Sequence, residues 1–379
     1  MAFFRPFALE RYFAEFEFET RHLLSSSDCE TMPTRELLSL EPGSQDRYLG
    51  LALGYTETRG DPELRADLAR LYEGMSPESI MVHAGAEEAI LDFFLAALSP
   101  GDHVVVNSPC YQSLSEIPRA LGCAVDPWPL REGDGRWYFD VDALAKLLVP
   151  RTRLVVLNAP HNPTGALPTR EEFDAIVALC AKAGALLFSD EVYRCLERDP
   201  GRRLPAACEV YDDAVSLNVL SKSAGLPGLR IGWLATRRAD LLDAIASAKD
   251  YCSICCSGPS EFLAGVAARH FGSLVDRSRS VISSNLPVVE GFFARRPDFV
   301  SWTAPEGGSI GFPRLTDRAL ACDRDAESFS RRLAAEAGIM ILPGSCYSRE
   351  PARFRLGFGR TSLPGALAAL EDWIDGNMR

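Results

Sequence analysis

The chain lacks a long apolar run. Residues 1–24 are rich in phenylalanine, but charged residues such as Arg5, Glu10 and Glu15 interrupt them. Such a segment is unlike the continuous apolar core of a signal peptide. No other stretch approaches the roughly 20 apolar residues that a membrane-spanning helix needs. We therefore expect a soluble, cytoplasmic protein that has no membrane partner.

Positive charge is also in deficit. Among the 379 residues, 40 lysines and arginines are outnumbered by 52 acidic residues, which gives a formal net charge of −12. Proteins that bind nucleic acid neutralise its phosphates with a basic surface, so we expect no nucleic-acid partner. Small anionic ligands are a separate matter, since a site for them needs only a few local cations.

No cysteine pattern typical of a metal site is found. The eleven cysteines are irregularly spaced. Cys252, Cys255 and Cys256 come closest to a cluster, but no second group answers them at the spacing of zinc ligands. We expect free thiols in a reducing compartment and no bound metal.

Short apolar runs separated by helical patterns fill the middle of the chain. The predicted strands are Ser79–Val82, His103–Asn107, Leu154–Leu157, Ala185–Ser189, Val215–Leu220 and Ile231–Ala235. Helical patterns between them include Glu87–Leu98, Tyr111–Leu121, Arg170–Ala183 and Arg238–Ala248. This alternation predicts an α/β fold with a mainly parallel sheet covered on both faces. Ligands in such folds bind beyond the carboxyl ends of the strands.

The pattern changes near Val281 to a long helix, followed by short strands around Phe299–Leu315 and Phe354–Phe358. We interpret this change as a domain boundary. The predicted large domain, which would bind the ligand, spans residues 45–280. Residues 1–44 and 281–379 would together form a smaller α/β domain.

One run combines an amine with a guanidinium. Ser221 and Lys222 begin it, and Arg230 follows Lys222 by eight positions through a Gly- and Pro-containing turn. Lysine forms imines with carbonyl compounds when its pKa is lowered, and arginine binds phosphate bidentately. A surface lysine beside a loop explains this run equally well when it is considered alone.

Two motifs upstream fit the same chemistry. Gly85, Ala86 and Glu87 follow a strand and open a helix, where backbone N–H groups can bind phosphate. Tyr111 follows the next strand, where its ring can stack on a flat heteroaromatic ligand. Each also has a plain structural explanation, as a strand-to-helix turn and as a core tyrosine.

Two more motifs follow later strands. Asn162 lies in a turn shaped by prolines and a glycine, which can direct its amide at a ring oxygen. Asp190 can pair with a pyridine nitrogen, and Tyr193 can donate to the same oxygen as Asn162. An Asn-Pro turn and an N-capping aspartate are the alternatives.

The set is more specific than its members. Asn162 and Asp190 are 28 residues apart (190 − 162), and Asp190 and Lys222 are 32 apart (222 − 190). Each gap fits one helix and one strand, so the three residues should meet at one edge of the sheet. Together the motifs supply the groups that bind pyridoxal 5′-phosphate.

In the order and spacing of these motifs the chain resembles the fold type I pyridoxal-phosphate enzymes of the class I/II aminotransferase family. The resemblance implies a fold like that of aspartate aminotransferase and pyridoxal 5′-phosphate as cofactor. It implies that Lys222 holds the cofactor and moves the substrate's α-proton, that Asp190 pairs with the ring nitrogen, and that Tyr193 assists. The other cofactor ligands that it implies are Gly85, Ala86, Glu87, Tyr111, Asn162, Ser221 and Arg230.

Two further segments match the same family. Tyr55, in the segment Gly54–Gly60, resembles the tyrosine that reaches the neighbouring subunit's cofactor, which implies a homodimer with shared active sites. Arg355 resembles the arginine that binds the substrate α-carboxylate, and the resemblance implies that Asn162 binds the substrate as well. One position departs from the pattern: Val219 stands where many relatives carry a phosphate-binding hydroxyl, so Ser221 or Ser223 would have to compensate.

The expected activity is amino transfer between an amino acid and a 2-oxo acid in amino acid metabolism, as part of a biosynthetic process. Elimination and replacement reactions, including C–S cleavage, use the same scaffold, and the motifs do not separate them. A regulator that only senses a ligand is the non-enzymatic alternative. Lys222, Asp190 and Arg355 argue against it, because a binding module without activity has no need of the full set.

The segment Leu24–Glu30 bears on the substrate. With Asp28 and Glu30 it is unusually acidic. Together with the segments Asp250–Ser253 and Gly307–Phe312 it weakly resembles the capreomycidine synthases. That resemblance implies elimination and cyclisation of a hydroxyarginine-like substrate. Our hypothesis is that Asp28 or Glu30 binds a guanidino group, the alternative being a solvated acidic loop.

Overall fold

An eight-stranded sheet forms the centre of the molecule in the computed structural model, which describes residues 4–347 and 350–377. The strands of this sheet and of the smaller sheets are β1 (His22–Leu23), β2 (Ile80–His83), β3 (His103–Ser108), β4 (Ala124–Gly133), β5 (Arg136–Phe139), β6 (Thr152–Asn158), β7 (Leu186–Asp190), β8 (Ala214–Val219), β9 (Gly232–Ala235), β10 (Val300–Ser301), β11 (Ile310–Gly311), β12 (Arg314–Leu315), β13 (Ile339–Met340), β14 (Leu342–Pro343) and β15 (Phe354–Gly357).

The α-helices cover this sheet or form the carboxyl-terminal part of the molecule. They are α1 (Ala8–Phe16), α2 (Thr34–Leu38), α3 (Ser44–Leu49), α4 (Pro62–Ala69), α5 (Ala86–Ala97), α6 (Gln112–Ala120), α7 (Val141–Leu147), α8 (Arg170–Ala183), α9 (Ala207–Val210), α10 (Ala239–Lys249), α11 (Gly258–Arg269), α12 (Phe271–Arg295), α13 (Ala326–Ala337) and α14 (Leu363–Asn377). Short 3₁₀ turns span Pro77–Ser79, Pro200–Arg202, Pro227–Leu229 and Gly344–Cys346.

The order of strands in the large sheet is β2-β9-β8-β7-β6-β3-β4-β5. The four central pairings, β8 with β7, β7 with β6, β6 with β3 and β3 with β4, are parallel. The two pairings of β9 and the β4–β5 hairpin are antiparallel. The predicted α/β fold with a mainly parallel sheet is therefore confirmed.

Burial on both faces explains the unbroken apolar runs. On β3, Val104 and Val106 belong to the core that contains Phe93 of α5. Val105, between them, faces a second core that contains Phe173 of α8. Successive side chains of a strand point to opposite faces, so a strand with helices on both sides is apolar at every position.

Two helices near the sheet begin in different ways. At α8, Thr169 and Glu172 form a reciprocal capping box, so the first N–H groups are satisfied by side chains. At α5, Gly85 precedes the helix with φ of 93° and gives no side-chain cap. The amino terminus of α5 therefore presents N–H groups suited to an anion.

The β4–β5 hairpin was not predicted from the sequence. Pro127 and Pro129 interrupt the apolar pattern of β4 and remove two backbone donors. This strand pairs on one side with β3 and on the other with β5 alone, near the edge of the sheet. Proline is tolerated there, because fewer ladder hydrogen bonds are lost.

A strand near the amino terminus pairs with a strand from the carboxyl-terminal part of the chain. β1 pairs in parallel with β13 through His22 and Ile339, and the backbone N–H of Leu24 donates to Met340 at 2.9 Å. Helix α12 begins at Phe271, earlier than the change predicted at Val281. The division into residues 45–280 and the two terminal segments stays a proposal.

All eleven cysteines are free. Among residues 4–347 and 350–377, no helix has both the length and the apolar content required to cross a bilayer.

Candidate active site

A cavity of about 580 Å³ opens at the carboxyl ends of β6, β7 and β8. Asn158 at the end of β6 is opposite Asp190 at the end of β7, and Asp190 is opposite Leu217 of β8. This register brings the polar residues that follow the strands to one place. The predicted site residues that line the cavity are Asp28, Ala86, Glu87, Tyr111, Asn162, Asp190, Tyr193, Ser221, Lys222, Arg230 and Arg355.

Lys222 lies inside this cavity, and its Nζ donates to Ser27 Oγ at 2.8 Å. Burial lowers the pKa of Lys222 to about 8, and the positive charge of Arg355 acts in the same direction. Asp28 and Asp190 oppose that shift. A substantial fraction of Lys222 is thus neutral near physiological pH, which a nucleophile or a base requires.

Asp190 is buried beside Lys222. Burial raises the pKa of Asp190 to about 7, although the N–H of Val192 donates to its Oδ1 at 3.2 Å. A cation placed next to this carboxyl group would favour its charged form. Asp190 therefore suits a protonated ring nitrogen.

The turn after β6 is fixed by Asn158. Its amide nitrogen donates to the carbonyl of Asp190 at 3.0 Å, and its Oδ1 accepts from the backbone N–H of Asn162 at 2.6 Å. The peptide bonds before Pro160 and Pro163 are cis. The two hydrogen bonds of Asn158 hold this turn where Asn162 lines the cavity.

Asn162 and Arg355 meet through Tyr347. The Tyr347 hydroxyl donates to Asn162 Oδ1 at 2.9 Å, and Arg355 Nη1 donates both to Tyr347 and, at 3.4 Å, to Asn162 Oδ1. Because a guanidinium can only donate, the amide oxygen of Asn162 must face Arg355. Its NH₂ group therefore faces the other way, as a donor to a ring oxygen would.

Arg355 is a buried cation without a carboxylate partner among the described residues. Only 2% of it is exposed, its Nη2 donates to the carbonyl of Ser25 at 2.7 Å, and its Nε is buried without a partner. Leaving a guanidinium unpaired in a protein interior is costly. An anion in the cavity, such as an α-carboxylate, would remove that cost. Arg353, by contrast, pairs with Glu132 and does not line the cavity.

Arg230 forms a second place for an anion. Its Nη2 lies 2.5 Å from the position that a Cβ on Gly85 would occupy, so a larger residue at position 85 would displace the guanidinium. Among the described residues no carboxylate pairs with Arg230, whose Nη1 donates to the carbonyl of Pro227 at 3.1 Å. The uncapped amino terminus of α5 begins at the next residue, Ala86.

Ser221 is a further group at this second place for an anion, which we call the Gly85–Arg230 cradle. Its Oγ is buried and has no hydrogen-bond partner among the described residues. Val219, at the position where the sequence suggested a missing hydroxyl, is also buried and lines the cavity. Ser223 instead donates to the carbonyl of Arg194 at 2.5 Å. Ser221, and not Ser223, is therefore the hydroxyl free to bind a phosphate.

Two tyrosines border the cavity. Tyr111 precedes α6, and its ring lies 5.2 Å from that of Phe7. Tyr193 is fully buried, its hydroxyl donates to the carbonyl of Ser27 at 3.3 Å, and Lys222 Nζ lies 5.9 Å from the centre of its ring. Both are placed to contact a flat cofactor, and their predicted roles stay predictions.

The acidic segment after β1 forms contacts with the segment that follows β15. Asp28 forms an ion pair with Arg360, whose Nη2 lies 2.6 Å from Asp28 Oδ2. Glu30 accepts from the backbone N–H of Thr361 at 2.7 Å and from its hydroxyl at 2.8 Å. Both carboxylates therefore have partners within the chain. The role of Asp28 as the group that binds substrate remains untested.

Tyr55 lies outside the cavity. Its side chain is 93% exposed, so within one chain it contacts no predicted cofactor ligand. Sequence reasoning also missed several residues that line or support the cavity. Tyr347 and Arg360 belong to no recognisable motif. Glu10 and Glu17 lie in the amino-terminal segment, outside every motif, although they line the cavity.

One group of possible metal ligands lies elsewhere. His83, Glu88 and Asp92 bring their ligand atoms within 4.8 Å of one another. His83 Nδ1 lies 3.2 Å from Asp92 Oδ2, and Glu88 Oε2 accepts from the backbone N–H of Ala84 at 2.5 Å. These internal hydrogen bonds account for the group.

The residues of the cavity fit pyridoxal 5′-phosphate. The Gly85–Arg230 cradle and the unpartnered Ser221 hydroxyl suit its phosphate, Asp190 suits its ring nitrogen, and Lys222 suits its aldehyde. Each of these protein groups thus matches one chemical part of the cofactor.

Comparison with known proteins gives the same result. The protein-family model described as aminotransferase class I and II matches residues 24–363. Capreomycidine synthase of Streptomyces vinaceus is 32% identical over 376 residues, which cover 98% of this chain and 94% of that protein. The arginine–pyruvate transaminase AruH of Pseudomonas aeruginosa is 29% identical over 324 residues, covering 80% of this chain and 77% of that one. The solved structure of the pyridoxal-phosphate-dependent cyclase OrfR is 30% identical, with a TM-score of 0.91 over 98% of this chain and 97% of that one.

Proposed function

Because the chain belongs to the aminotransferase class I and II family and uses pyridoxal 5′-phosphate, we propose that it transfers the amino group of an arginine-like amino acid to a 2-oxo acid. The observation that carries this proposal is a pair of arginines, Arg230 and Arg355, in one cavity. Neither has a carboxylate partner among the described residues. The two anions that they would bind are the cofactor's phosphate and the substrate's α-carboxylate.

The chain's own groups would act at the α-carbon. Arg355 binds the α-carboxylate bidentately and so orients the amino acid. Lys222 Nζ, with its pKa lowered to about 8 by burial, accepts the α-proton. When bound, the cofactor supplies a protonated pyridine ring that withdraws the electrons left at the α-carbon. Asp190 keeps that ring protonated, and the amide of Asn162 and the hydroxyl of Tyr193 donate to its ring oxygen.

The substrate class rests on the similarity to an arginine–pyruvate transaminase. Plain arginine has no leaving group on its β-carbon, so removal of the α-proton would lead to amino transfer. The test incubates the purified protein and cofactor with pyruvate and L-arginine, and measures alanine. We expect alanine with L-arginine, more slowly with norleucine, and none with the Lys222→Ala variant. Absence of alanine with every amino donor would contradict the proposal.

Elimination with ring closure is a second candidate. It is favoured by the likeness to capreomycidine synthase over nearly the full length of both chains, and by the likeness to the cyclase OrfR. With a β-hydroxyarginine, the α-proton and the β-hydroxyl would leave as water. A guanidino nitrogen would then bond to the β-carbon and a proton would return to the α-carbon. Formation of a cyclic product lighter by one water, without alanine, would favour this candidate over amino transfer.

A homodimer is part of the proposal. The segment with Tyr55 lies beside the segment with Cys256, because Thr56 Oγ1 donates to the carbonyl of Cys256 at 3.1 Å. Both segments expose large apolar side chains, and such patches mark interfaces. The exposed residues of this patch are Leu49, Leu53, Tyr55, Tyr251 and Ile254. A second copy on this patch would bring its Tyr55 to the cofactor's phosphate. A cytoplasmic location stays a prediction.

A further inference from the structure

Helix α1 crosses the mouth of the cavity. It is anchored at one end by the backbone N–H of Ala8, which donates to Gln112 at 2.9 Å, and at the other by Arg331, whose Cζ lies 5.4 Å from the ring centre of Phe16. The residues of α1 and of its carboxyl-terminal cap that line the cavity are Leu9, Glu10, Phe13 and Glu17. Spacings of three and four residues place Glu10, Phe13 and Glu17 on one face of a helix.

Two carboxylates on this face lack partners. Among the described residues, neither Glu10 nor Glu17 forms a side-chain hydrogen bond or an ion pair, whereas Glu15 on the opposite face pairs with Arg331. Partial burial raises the pKa of Glu17, the negative charges of Asp28 and Glu10 act in the same direction, and the positive charge of Arg360 opposes them. The part of the cavity beside α1 therefore presents two carboxylates that form no ion pair with a described residue.

No nearby cation among the described residues forms an ion pair with Glu10 or Glu17. Arg360 is held by Asp28. Arg21 also lines the mouth, but it forms no ion pair with a described residue. Arg355 is directed at the α-carboxylate end, where its Cζ lies 6.0 Å from the centre of the Phe13 ring. Phe13 thus links the two ends, because it lies between Glu10 and Glu17 on the helix and also reaches Arg355.

We propose that Glu17, assisted by Glu10, binds the distal cation of the substrate and so selects guanidino amino acids. This inference rests on the proposed function. A guanidinium presents paired N–H donors that match the two oxygens of one carboxylate. The Phe13 ring would cover the methylene groups of the substrate side chain or the face of its guanidinium. Selection would therefore depend on α1, and Asp28 would instead hold Arg360 in place.

The test compares substrate binding in the holoenzyme of four proteins: wild type, Glu17→Gln, Glu10→Gln and the control Glu19→Gln. Glu19 is exposed, close to Glu17 in sequence, and does not line the cavity. Dissociation constants for L-arginine and for norleucine, which is neutral and of similar length, are measured from the change in cofactor absorption. A buried hydrogen bond to a charged group contributes more than a neutral one. We expect Glu17→Gln to weaken the binding of arginine by about tenfold or more, and the binding of norleucine by less than about twofold.

The control and a charge reversal make the result specific. Glu19→Gln should bind both ligands as the wild type does, and Glu10→Gln should weaken arginine by a smaller factor than Glu17→Gln. Glu17→Arg should lower the preference for arginine and raise the affinity for glutamate. A Glu17→Gln variant that keeps the wild-type ratio of arginine to norleucine affinity would overturn this inference alone. A wild-type protein that binds neither ligand would overturn the proposed function itself.

Discussion

Lys222 combines two properties that conflict in most lysines, because it is accessible from a cavity and yet buried enough for its pKa to be lowered. Ser27 Oγ lies 2.8 Å from its Nζ and can accept a hydrogen bond from either the ammonium or the amine. Asp28 and Asp190 favour the ammonium, while burial and Arg355 favour the amine. The balance puts the pKa of Lys222 at about 8.

This balance predicts how cofactor capture depends on pH. Only the neutral amine attacks an aldehyde, so the rate of covalent capture by the cofactor-free protein should reach half of its maximum at about pH 8 and level off above that midpoint. An exposed lysine would continue to gain rate toward pH ~10. The adduct is trapped with borohydride and located by mass spectrometry, which is unambiguous because the chain has only four lysines.

Two variants check the cause of this pH dependence. Asp190→Asn removes a carboxylate that favours the ammonium, so the midpoint should move to lower pH. Lys222→Ala should yield no adduct at position 222. A midpoint near pH 10 in the wild type would show that the amine is not desolvated.

The turn between β6 and α8 holds Asn162, and His161 stabilises this turn through two hydrogen bonds. His161 Nε2 lies 2.7 Å from the carbonyl oxygen of Pro109, and Nδ1 lies 2.8 Å from Thr164 Oγ1. Since a carbonyl can only accept, Nε2 must carry the proton. Burial lowers the pKa of His161 to about 3.

His161 should therefore make the folded state sensitive to acid. In the unfolded chain a histidine binds a proton near pH 6.5, but in the folded state His161 stays neutral until about pH 3. Stability that is present above pH 6.5 is thus lost as the pH falls. At pH 5 the loss should be about 2 kcal/mol relative to pH 7.

Urea unfolding of the wild type and of His161→Gln at these two pH values measures this effect. The variant is expected to be less stable at pH 7, yet its free energy of unfolding should fall less between pH 7 and pH 5. His83, also buried with a lowered pKa, contributes equally to both proteins. The same decrease in both would mean that His161 is not the acid-sensitive group.

Elements of this kind differ in how far the sequence predicts them. β3 and β6 were predicted because burial on both faces leaves an unbroken apolar run. β4 was missed because Pro127 and Pro129 disguise it. Asn162, Asp190 and Lys222 were predicted as a group because parallel strands deliver their carboxyl ends to one edge.

Other parts of the site have no such rule. Tyr347 contacts Asn162 across 185 positions of sequence, and nothing local marks it. The partner of Asp28 was equally hidden, since Arg360 approaches it from the far end of the chain. Glu17 has significance only because α1 lies over the cavity. Contacts between distant segments depend on packing, and a pattern of residue types does not encode packing.

On the scale of the whole molecule, the apolar patch around Tyr55 is the surface on which the proposed homodimer depends. Tyr55 is 93% exposed and Tyr251 95% exposed. Large exposed side chains next to one another favour association with a second copy, which in most soluble oligomers is related by a two-fold axis. Tyr55 would then serve the partner's cavity.

Mixed dimers test this arrangement. Lys222→Ala and Tyr55→Ala subunits are unfolded together, refolded together and assayed. If Tyr55 acts across the interface, each mixed dimer has one intact site, so random pairing should restore about a quarter of wild-type activity. If Tyr55 acts within its own chain, or not at all, the mixture should give only the average of the two parent variants. Sedimentation should show dimers in every sample.

The pairing of β1 with β13 has a consequence for how the protein is made. Ser27 and Asp28 follow β1, and β1 is held by His22 against Ile339. Chains emerge from the ribosome amino terminus first, at roughly 5–20 residues per second. The early segment that carries Ser27 must therefore wait, without its partner strand, until Ile339 has been synthesised. Lys222 will by then already have left the ribosome, so in a nascent chain this lysine is present before the burial that lowers its pKa is complete.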